Sequence, residues 1–223
     1  MQFIDWLRSP NNTVGNPLRV LLNLHPQTGV DHCQSMYPAI AKAMGVNPVT
    51  QAPVECNWGD PKFVDVLYEY ALDATQLQGI DYWWTDYGGC GPQPAGKLLW
   101  WSNYIFSEQR ALGRTKDDTA NRPLTLSRYG GMGNHRYPIG FSGDTFQDYG
   151  TLGFEIEMTA KAANVMFGYW SHDIGGNHNG TDCVGDDNPA NLTGSELLLR
   201  WIQYGVLSPI LRTHCQCDRY IWE

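Results

Sequence analysis

The sequence lacks the features that would place it among membrane or nucleic-acid-binding proteins. No apolar run approaches the ~18 residues of a candidate membrane-spanning helix. The 15 Lys and Arg residues are scattered along a chain whose formal net charge is −8. A basic stripe or patch, which is the electrostatic footprint of nucleic-acid binding, is therefore missing. We expect neither a membrane nor a nucleic acid among the partners.

Spacings typical of metal and redox sites are also missing. No pair of cysteines has the C-x-x-C spacing of zinc or thiol–disulfide motifs; the cysteines are Cys33, Cys56, Cys90, Cys183, Cys215 and Cys217. The histidines include no H-x-H or H-E-x-x-H pair, which disfavours a metal-dependent hydrolase. We expect no metal and no cofactor, and we interpret the cysteines as structural or unremarkable.

What the chain does contain is an alternation of short apolar runs with helical patterns. Its 223 residues, 42% of them hydrophobic, suit about one domain with a sizeable core. Strands are predicted at 18–25, 80–86, 124–129, 137–143, 167–170 and 206–214. Helices are predicted at 2–8, 38–44, 61–78, 98–112 and 195–204, and residues 160–166 are predicted to complete a further helix. Strand–helix alternation predicts a parallel sheet, which is either an open doubly wound sheet or a closed barrel.

Polar residues at the ends of the predicted strands help to decide between these two folds. Nearly every strand stops on such residues, which are His25, Asp86, Arg128, Asp144, His172, Asp173, Arg212 and His214. In a barrel these ends converge on one face, where the loops build the active site. An open sheet uses mainly one crevice. The pattern therefore favours a barrel, although six strands do not close the usual eight.

Two aspartates are the candidate catalytic residues. Asp86 ends the aromatic run IDYWWTDYGG, and Asp144 stands in FSGDT, so that each has glycine nearby. Two carboxylates that face each other across a barrel mouth suit cleavage of a glycosidic bond. The alternative is that either aspartate only forms a turn or caps a helix. The nine tryptophans fit a carbohydrate site, since sugar faces stack on flat rings, and they equally fit a filled core.

Four runs, in this order, resemble the catalytic barrel of glycoside hydrolase family 31: WWTDYGG, LSRYGGMGNHRYPIGFSGDT, YWSHDIGG and SPILRTH. This family contains α-glucosidases, α-xylosidases and related retaining enzymes. The resemblance extends from LNLHP to nearly the end of the chain. It implies that Asp86 is the nucleophile, at the end of the fourth barrel strand, and that Asp144 is the general acid/base, at the end of the sixth.

The same resemblance implies five substrate-binding positions. Arg128 matches the arginine that binds the sugar beside the acid, and Asp173 matches an acid that supports the site near the scissile bond. His214 matches a histidine that hydrogen-bonds the sugar. Trp84 matches the tryptophan two residues before the nucleophile. Phe141 stands where tryptophan is frequent in the family, a change in the sugar pocket that bears on substrate choice and not on reaction type.

The resemblance finally implies an incomplete (β/α)8 TIM barrel over residues 1–223. Its strands match barrel strands three to eight. We expect the first two strands, an N-terminal β-sandwich and C-terminal β-domains to lie outside this chain. Strands three and eight would then be unpaired edges, so we expect the chain alone to be poorly stable and inactive without the missing parts of its own polypeptide.

The expected function is retaining hydrolysis of an α-linked oligosaccharide or other glycoside. Two alternatives remain open at this point. One is transglycosylation, in which a second sugar replaces water in the final step. The other is a non-catalytic, truncated remnant that keeps a sugar-binding pocket.

Overall fold

The computed structural model describes residues 2–12, 15–76, 78–86, 95–111, 124–128, 131–178 and 195–214. The chain divides into two compact units, residues 1–131 and 132–223. In the described part of the chain, no helix combines the length and the apolar character needed to cross a membrane. Cys56 is disulfide-bonded and Cys33 is free. The other four cysteines lie outside the described residues.

The first unit contains three parallel strands, β1 (Leu21–Leu24), β2 (Tyr82–Thr85) and β3 (Thr125–Arg128). β1 pairs with β2, and β2 pairs with β3, both in parallel. The helices of this unit are α1 (Gln2–Arg8), α2 (Tyr37–Met44), α3 (Pro61–Leu67), α4 (Asp73–Gln76) and α5 (Ala95–Ala111). A π-helical turn, Tyr68–Leu72, joins α3 to α4, and 3-10 turns lie at Pro26–Thr28 and Pro48–Thr50. The parallel sheet predicted from the sequence is confirmed.

Helix α3 shows how the sequence specifies this unit. The Asp60 carboxylate accepts a hydrogen bond of 2.9 Å from the Lys62 amide, and Pro61 occupies the first turn, where its missing N–H matters least. The buried face of α3 includes Phe63, whose ring meets Trp58 edge-on with centroids 5.7 Å apart. Trp58 also packs on Phe106 of α5 at 5.4 Å. One hydrophobic core therefore joins these helices to the sheet.

The start of β2 is fixed by a buried carboxylate. Asp81, directly before the strand, accepts from Arg19 at 2.7 Å and from Arg8 at 3.1 Å. It also accepts from the Val20 amide at 2.7 Å. These contacts tie α1 and the approach to β1 onto the beginning of β2. The opposite end of β2 is the end that carries Asp86.

The second unit contains β4 (Gly140–Phe141) and β5 (Trp170–Ser171), which are parallel, with α6 (Tyr149–Asn164) and α7 (Ser195–Gly205). A 3-10 turn, Asn134–Arg136, precedes β4. Isolated parallel bridges join Ser171 to Ile210 and Ile174 to Thr213. Among the described residues of this unit, one hydrophobic cluster contains the buried Leu152, Ile174, Leu197 and Trp201.

Several predicted boundaries in the second unit were wrong. The strand predicted at 137–143 is confined to Gly140–Phe141, and the strand predicted at 206–214 is reduced to two isolated bridges. Instead, residues 206–208 form a turn that closes α7. The helix that residues 160–166 were predicted to complete ends at Asn164 and begins at Tyr149, where Asp148 caps it by accepting a hydrogen bond of 2.6 Å from the Thr151 amide.

The strand predicted at 167–170 begins only at Trp170. Met166 adopts a left-handed conformation with φ of 71°. The Phe167 amide then donates back to the Ala162 carbonyl at 2.9 Å, which is a Schellman-type helix end. The apolar run after α6 therefore closes the helix before it becomes a strand.

Candidate active site

Asp86 and Arg128 lie together at the carboxyl ends of neighbouring strands. Asp86 directly follows β2, and Arg128 is the last residue of β3. The Arg128 Nε donates to Asp86 Oδ1 in an ion pair whose side chains are only 8% and 9% exposed. The guanidinium compensates for the hydration that the buried carboxylate has lost. Two residues expected at one site are thus in direct contact.

His25 contacts the other oxygen of the same carboxylate. Its Nε2 lies 3.2 Å from Asp86 Oδ2, and its side chain is half exposed. The Asp86 amide donates to the Leu24 carbonyl at 3.0 Å, which aligns the ends of β1 and β2. Sequence reasoning placed His25 at a strand end but gave it no role. The signal that identifies it is its position directly after a strand that pairs with β2.

Trp84 lies in β2, two residues before Asp86, and is partly buried. Its neighbour Trp83 is buried in the core with the helices of the first unit. Because successive strand residues point to opposite faces, Trp84 lies on the other face of β2. Trp84 is therefore placed on the strand that leads to Asp86 and outside the packed core.

Asp144 stands in a turn just after β4, and its carboxylate faces a histidine. Asp144 Oδ2 lies 3.5 Å from His178 Nε2. The backbone after Asp144 is hydrogen-bonded to the segment that contains His178, since the Asn177 and His178 amides both donate to the Thr145 carbonyl at 2.8 Å. The Gln147 amide donates to the His178 carbonyl at 2.7 Å. His178 was missed by sequence reasoning, because only these backbone contacts bring it to Asp144.

A glycine makes this close approach possible. Gly176 has φ of 79°, and a Cβ on it would lie 2.7 Å from the Phe146 carbonyl oxygen and 2.9 Å from the Gln147 Cα. Both distances are shorter than real Cβ contacts, and both neighbours are backbone atoms. The second glycine of SHDIGG therefore allows the segment after Asp144 to pack against it.

Asp173 is fully buried and pairs with a cation that sequence reasoning left without a role. Its carboxylate accepts from Arg212 Nη2, and Arg212 Nε donates to Ser171 Oγ at 3.3 Å. The Arg212 guanidinium carbon lies 5.2 Å from the centroid of the buried Phe141 ring, an arrangement typical of a cation–π contact. Arg212 therefore links two of the residues predicted for the site.

The charges around Asp173 act on its protonation. Burial raises the pKa of Asp173 above its ordinary value of 3.8, against lowering by the positive charges of Arg212 and His214. The negative charge of Asp144 raises this pKa further. Asp144, Asp173 and His214, all predicted for the site, are therefore electrostatically coupled within the second unit.

The predicted site residues thus form one group in each unit. The first group is Asp86 and Arg128, together with Trp84 in the strand that precedes Asp86. The second group is Asp144, Asp173, His214 and Phe141. That Asp86 and Asp144 act on one sugar stays a prediction. Within the described ranges, no three His, Cys, Asp or Glu side chains group closely enough to hold a metal ion.

Comparison with known proteins identifies the family of this chain, and it finds similar proteins that are named as glycosidases. An α-xylosidase A of Aspergillus niger is 28% identical over 152 residues, which are 66% of this chain and 21% of that protein. An α-xylosidase of Saccharolobus solfataricus is 33% identical over 91 residues, which are 41% of this chain and 11% of the relative. The chain therefore spans about a fifth of the Aspergillus protein.

Solved structures show the same fold at lower identity. A GH31 α-xylosidase from a soil metagenome, complexed with xylose, is 21% identical with a TM-score of 0.67, covering 96% of this chain and 33% of that one. A GH31 α-xylosidase from Xanthomonas citri is 19% identical with a TM-score of 0.67, covering 93% of this chain and 26% of that one. The family description "Glycosyl hydrolases family 31 TIM-barrel domain" matches residues 15–223. The chain therefore belongs to glycosyl hydrolase family 31, and its parallel strands and helices are part of that family's TIM barrel.

Proposed function

We propose that this chain carries the catalytic carboxylates of a retaining α-glycoside hydrolase. The observation that carries the proposal is the buried ion pair of Asp86 and Arg128 at the ends of adjacent parallel strands. Active sites of TIM barrels are built at the carboxyl ends of the strands. A carboxylate held there by a guanidinium on one oxygen and an imidazole on the other is fixed in direction, as a nucleophile requires.

The reaction proceeds in two displacements. In the first, an Asp86 oxygen forms a bond to the anomeric carbon while the bond to the leaving oxygen breaks, and that oxygen takes the proton of Asp144. In the second, the Asp144 carboxylate takes a proton from water, whose oxygen attacks the anomeric carbon and releases Asp86. The two inversions give net retention, and Asp144 ends protonated as it began.

The surroundings of the two acids suit these different roles. The Asp86 side chain, beside Arg128 and His25, is 9% exposed, whereas the Asp144 side chain is 19% exposed and therefore more open to proton exchange with water. A general acid/base must exchange a proton in every turnover. The Asp173 carboxyl, which is paired with Arg212, interacts electrostatically with Asp144 in the second unit.

The other predicted site residues divide by their burial. Trp84 and His214 are partly exposed, which suits direct contact with the sugar. Phe141 and Asp173 are fully buried against Arg212, so we assign them the role of holding Arg212. Arg128 is buried beside Asp86 and holds the nucleophile.

We also propose that these residues act within a longer polypeptide that completes the barrel and adds β-domains. The support is that this chain spans only 21% of its Aspergillus relative and 33% of the soil metagenome α-xylosidase structure. The substrate class is an α-linked glycoside. Relatives named α-xylosidase and α-glucosidase make aryl α-xylosides and aryl α-glucosides the first substrates to compare.

The test uses the full-length protein and exchanges each acid in turn. Asp86→Asn should lower kcat by about 10⁴-fold or more, because the covalent step is lost. Asp86→Ala with azide and an α-glycosyl fluoride should give a β-glycosyl azide. Asp144→Ala with azide and an activated substrate should give the α-azide, since azide then replaces water on the covalent intermediate. Asp148→Asn, which keeps its helix cap, is the control.

Undiminished turnover in Asp86→Asn would overturn the proposal. So would azide products of the opposite configuration in the two alanine variants, because the roles of the two acids would then be exchanged. Product analysis with an added acceptor sugar separates hydrolysis from transglycosylation.

A further inference from the structure

Directly behind the Asp144 turn lies a cluster of buried and partly buried polar side chains that the proposed reaction does not use. Its centre is His172, which is fully buried and immediately precedes Asp173. Glu155 and Thr159 reach it from α6, and Tyr204 reaches it from α7. Ser142 reaches it from the end of β4. Buried ionisable groups are rare unless they are paired, so this cluster needs an explanation.

The two nitrogens of His172 face different partners. Nδ1 lies 2.8 Å from Glu155 Oε2 and 3.1 Å from Ser142 Oγ. Nε2 lies 2.6 Å from Thr159 Oγ1 and 2.6 Å from the Tyr204 hydroxyl. The Tyr204 hydroxyl also donates to the Glu155 carbonyl at 2.9 Å. On the Nδ1 side the hydrogen bond is the one with the Ser142 hydroxyl, and on the Nε2 side the Thr159 and Tyr204 hydroxyls also contact each other.

On the Nδ1 side, His172 contacts Ser142, which is two residues before the proposed acid/base Asp144. Ser142 is separated from Asp144 only by Gly143, whose φ of 82° makes the turn. The Ser142 amide is fixed to the Ser171 carbonyl at 3.2 Å. The far side of the turn is fixed where Thr145 accepts from the backbone of residues 177 and 178. His172 therefore contacts the Ser142 side chain at the start of the turn that carries Asp144, and backbone hydrogen bonds hold this turn on both sides.

We propose that His172 is a positioning residue for proton transfer, which holds Ser142 so that the turn aims the Asp144 carboxyl at the leaving oxygen. This inference rests on the proposed role of Asp144. Buried networks of this kind lose much of their stabilisation when one member is removed. General acid catalysis is worth about 10²- to 10⁴-fold, and a misplaced acid loses part of that factor.

The signature of this role is a dependence on the leaving group. A poor leaving group, such as the sugar of a disaccharide or an alkyl alcohol, needs the proton from Asp144, whereas fluoride departs with little assistance. Loss of acid positioning should therefore slow disaccharides and alkyl α-glycosides while sparing α-glycosyl fluorides. A merely structural role lowers both rates equally.

Two substitutions of His172 separate the two sides of the ring. His172→Asn keeps a donor near the Nδ1 position, and His172→Gln keeps a polar group near the Nε2 position. In the full-length enzyme, with rates normalised to active sites titrated by a covalent inactivator, we expect His172→Gln to lower kcat/KM for an alkyl α-glycoside by about 10- to 100-fold. The α-glycosyl fluoride should lose less than about 3-fold, and His172→Asn should recover most of the alkyl glycoside rate.

Ser142→Ala removes only the hydroxyl that connects the ring to the turn, and it should give a smaller loss of the same selectivity. This variant decides the question where His172→Gln does not fold. His135→Gln is the matched control, since His135 lies in the same unit but contacts the Phe167 ring and not the cluster around His172. It should leave both rates unchanged.

Equal losses on both substrates in His172→Gln and in Ser142→Ala would overturn the inference, as would a His172→Asn variant no better than His172→Gln. Asp144→Asn reports separately on the proposed function. It should show the same leaving-group selectivity with a larger amplitude. If Asp144→Asn shows none, the role of Asp144 itself fails; if it does and the His172 variants do not, only the positioning role fails.

Discussion

Asp86 is held by residues that are far from it in sequence. Arg128 is 42 positions later, and His25 comes from the end of another strand. The motif alone identified Asp86 and Arg128, since both stand in recognisable runs. The role of His25 could not be predicted, because it depends on the parallel register of β1 and β2 and on the direction of one imidazole. His178 and Arg212 were missed for the same kind of reason.

The contact from His25 is the first feature to test at this scale. His25→Ala removes a polar contact to Asp86 Oδ2 and should lower kcat by about 10-fold, which corresponds to about 1.4 kcal/mol for a hydrogen bond to a charged group. His25→Gln should lose less. His32→Ala is a matched control, because the His32 side chain is 48% exposed against 49% for His25 and pairs only with its neighbour Asp31 among the described contacts. Equal effects of the two alanine variants would contradict this role.

Asp173 makes a pH-dependent prediction. Burial raises its pKa in the folded protein above the ordinary 3.8, so the folded state keeps the Asp173 proton where the unfolded chain has lost it. The stability that Asp173 contributes is therefore complete below about pH 3.8 and is lost as the pH rises through the folded pKa. Infrared difference spectra between the wild type and Asp173→Asn should show a protonated carboxyl band that persists above pH 3.8.

Because the Asp144 charge raises the pKa of Asp173, the same band should disappear at lower pH in Asp144→Asn. A band that vanishes at or below pH 3.8 in the wild type would show that Arg212 and His214 outweigh burial.

At the scale of elements, the short and irregular pieces of the second unit position the site. The apolar run from Phe167 was predicted as a strand, yet the strand begins only at Trp170, because the left-handed Met166 and the backward hydrogen bond of the Phe167 amide end α6 first. The early part of α6 was missed because Gly150 and Gly153 weaken the helical pattern. The cap at Asp148 starts the helix despite them. Periodicity identified where elements exist, whereas caps and turns decided their bounds.

Gly176 tests how strongly one close backbone contact controls the Asp144 segment. A Cβ at Gly176 would meet the backbone of residues 146 and 147, so Gly176→Ala should displace the segment after Asp144. Because a displacement of about 1 Å in a catalytic group can cost 10²-fold, we expect kcat to fall by about 10- to 100-fold.

Gly45→Ala is the control for Gly176→Ala. Gly45 has φ of 84°, so the backbone strain is similar, but a Cβ there meets open space. It should reduce thermal stability and leave kcat unchanged. If Gly176→Ala does no more than this, the close approach has no catalytic importance.

At the scale of the whole molecule, the resemblance of four motifs predicted the family, and the family accounts for the fold. Residue patterns alone favoured a barrel but left its closure open, because β-strand pairing between distant segments has no local signal. In the described part of the chain, β1 pairs only with β2, which leaves its other edge open. Beside β1 lies a cavity of about 560 Å³ lined largely by apolar residues such as Leu24, Phe63 and Trp83.

An open strand edge beside an apolar cavity predicts how the 223 residues behave alone. Unpaired edges template association with other chains, and an open core loses the gain from apolar burial. We expect the chain expressed alone to self-associate in sedimentation experiments and to have no measurable activity on aryl α-glycosides. The full-length protein should be soluble and active under the same conditions. A soluble, monomeric and active 223-residue protein would contradict this expectation.

The most direct measurement is the location of the covalent intermediate. A 5-fluoro-α-glycosyl fluoride forms the glycosyl-enzyme and slows its hydrolysis, so the labelled full-length protein survives digestion and peptide mass analysis. We predict a single glycosyl adduct on the peptide that contains Asp86, with fragment ions that place it on that carboxylate. An adduct on another residue, or turnover to a product of inverted configuration without any adduct, would contradict the assignment of Asp86 as the nucleophile.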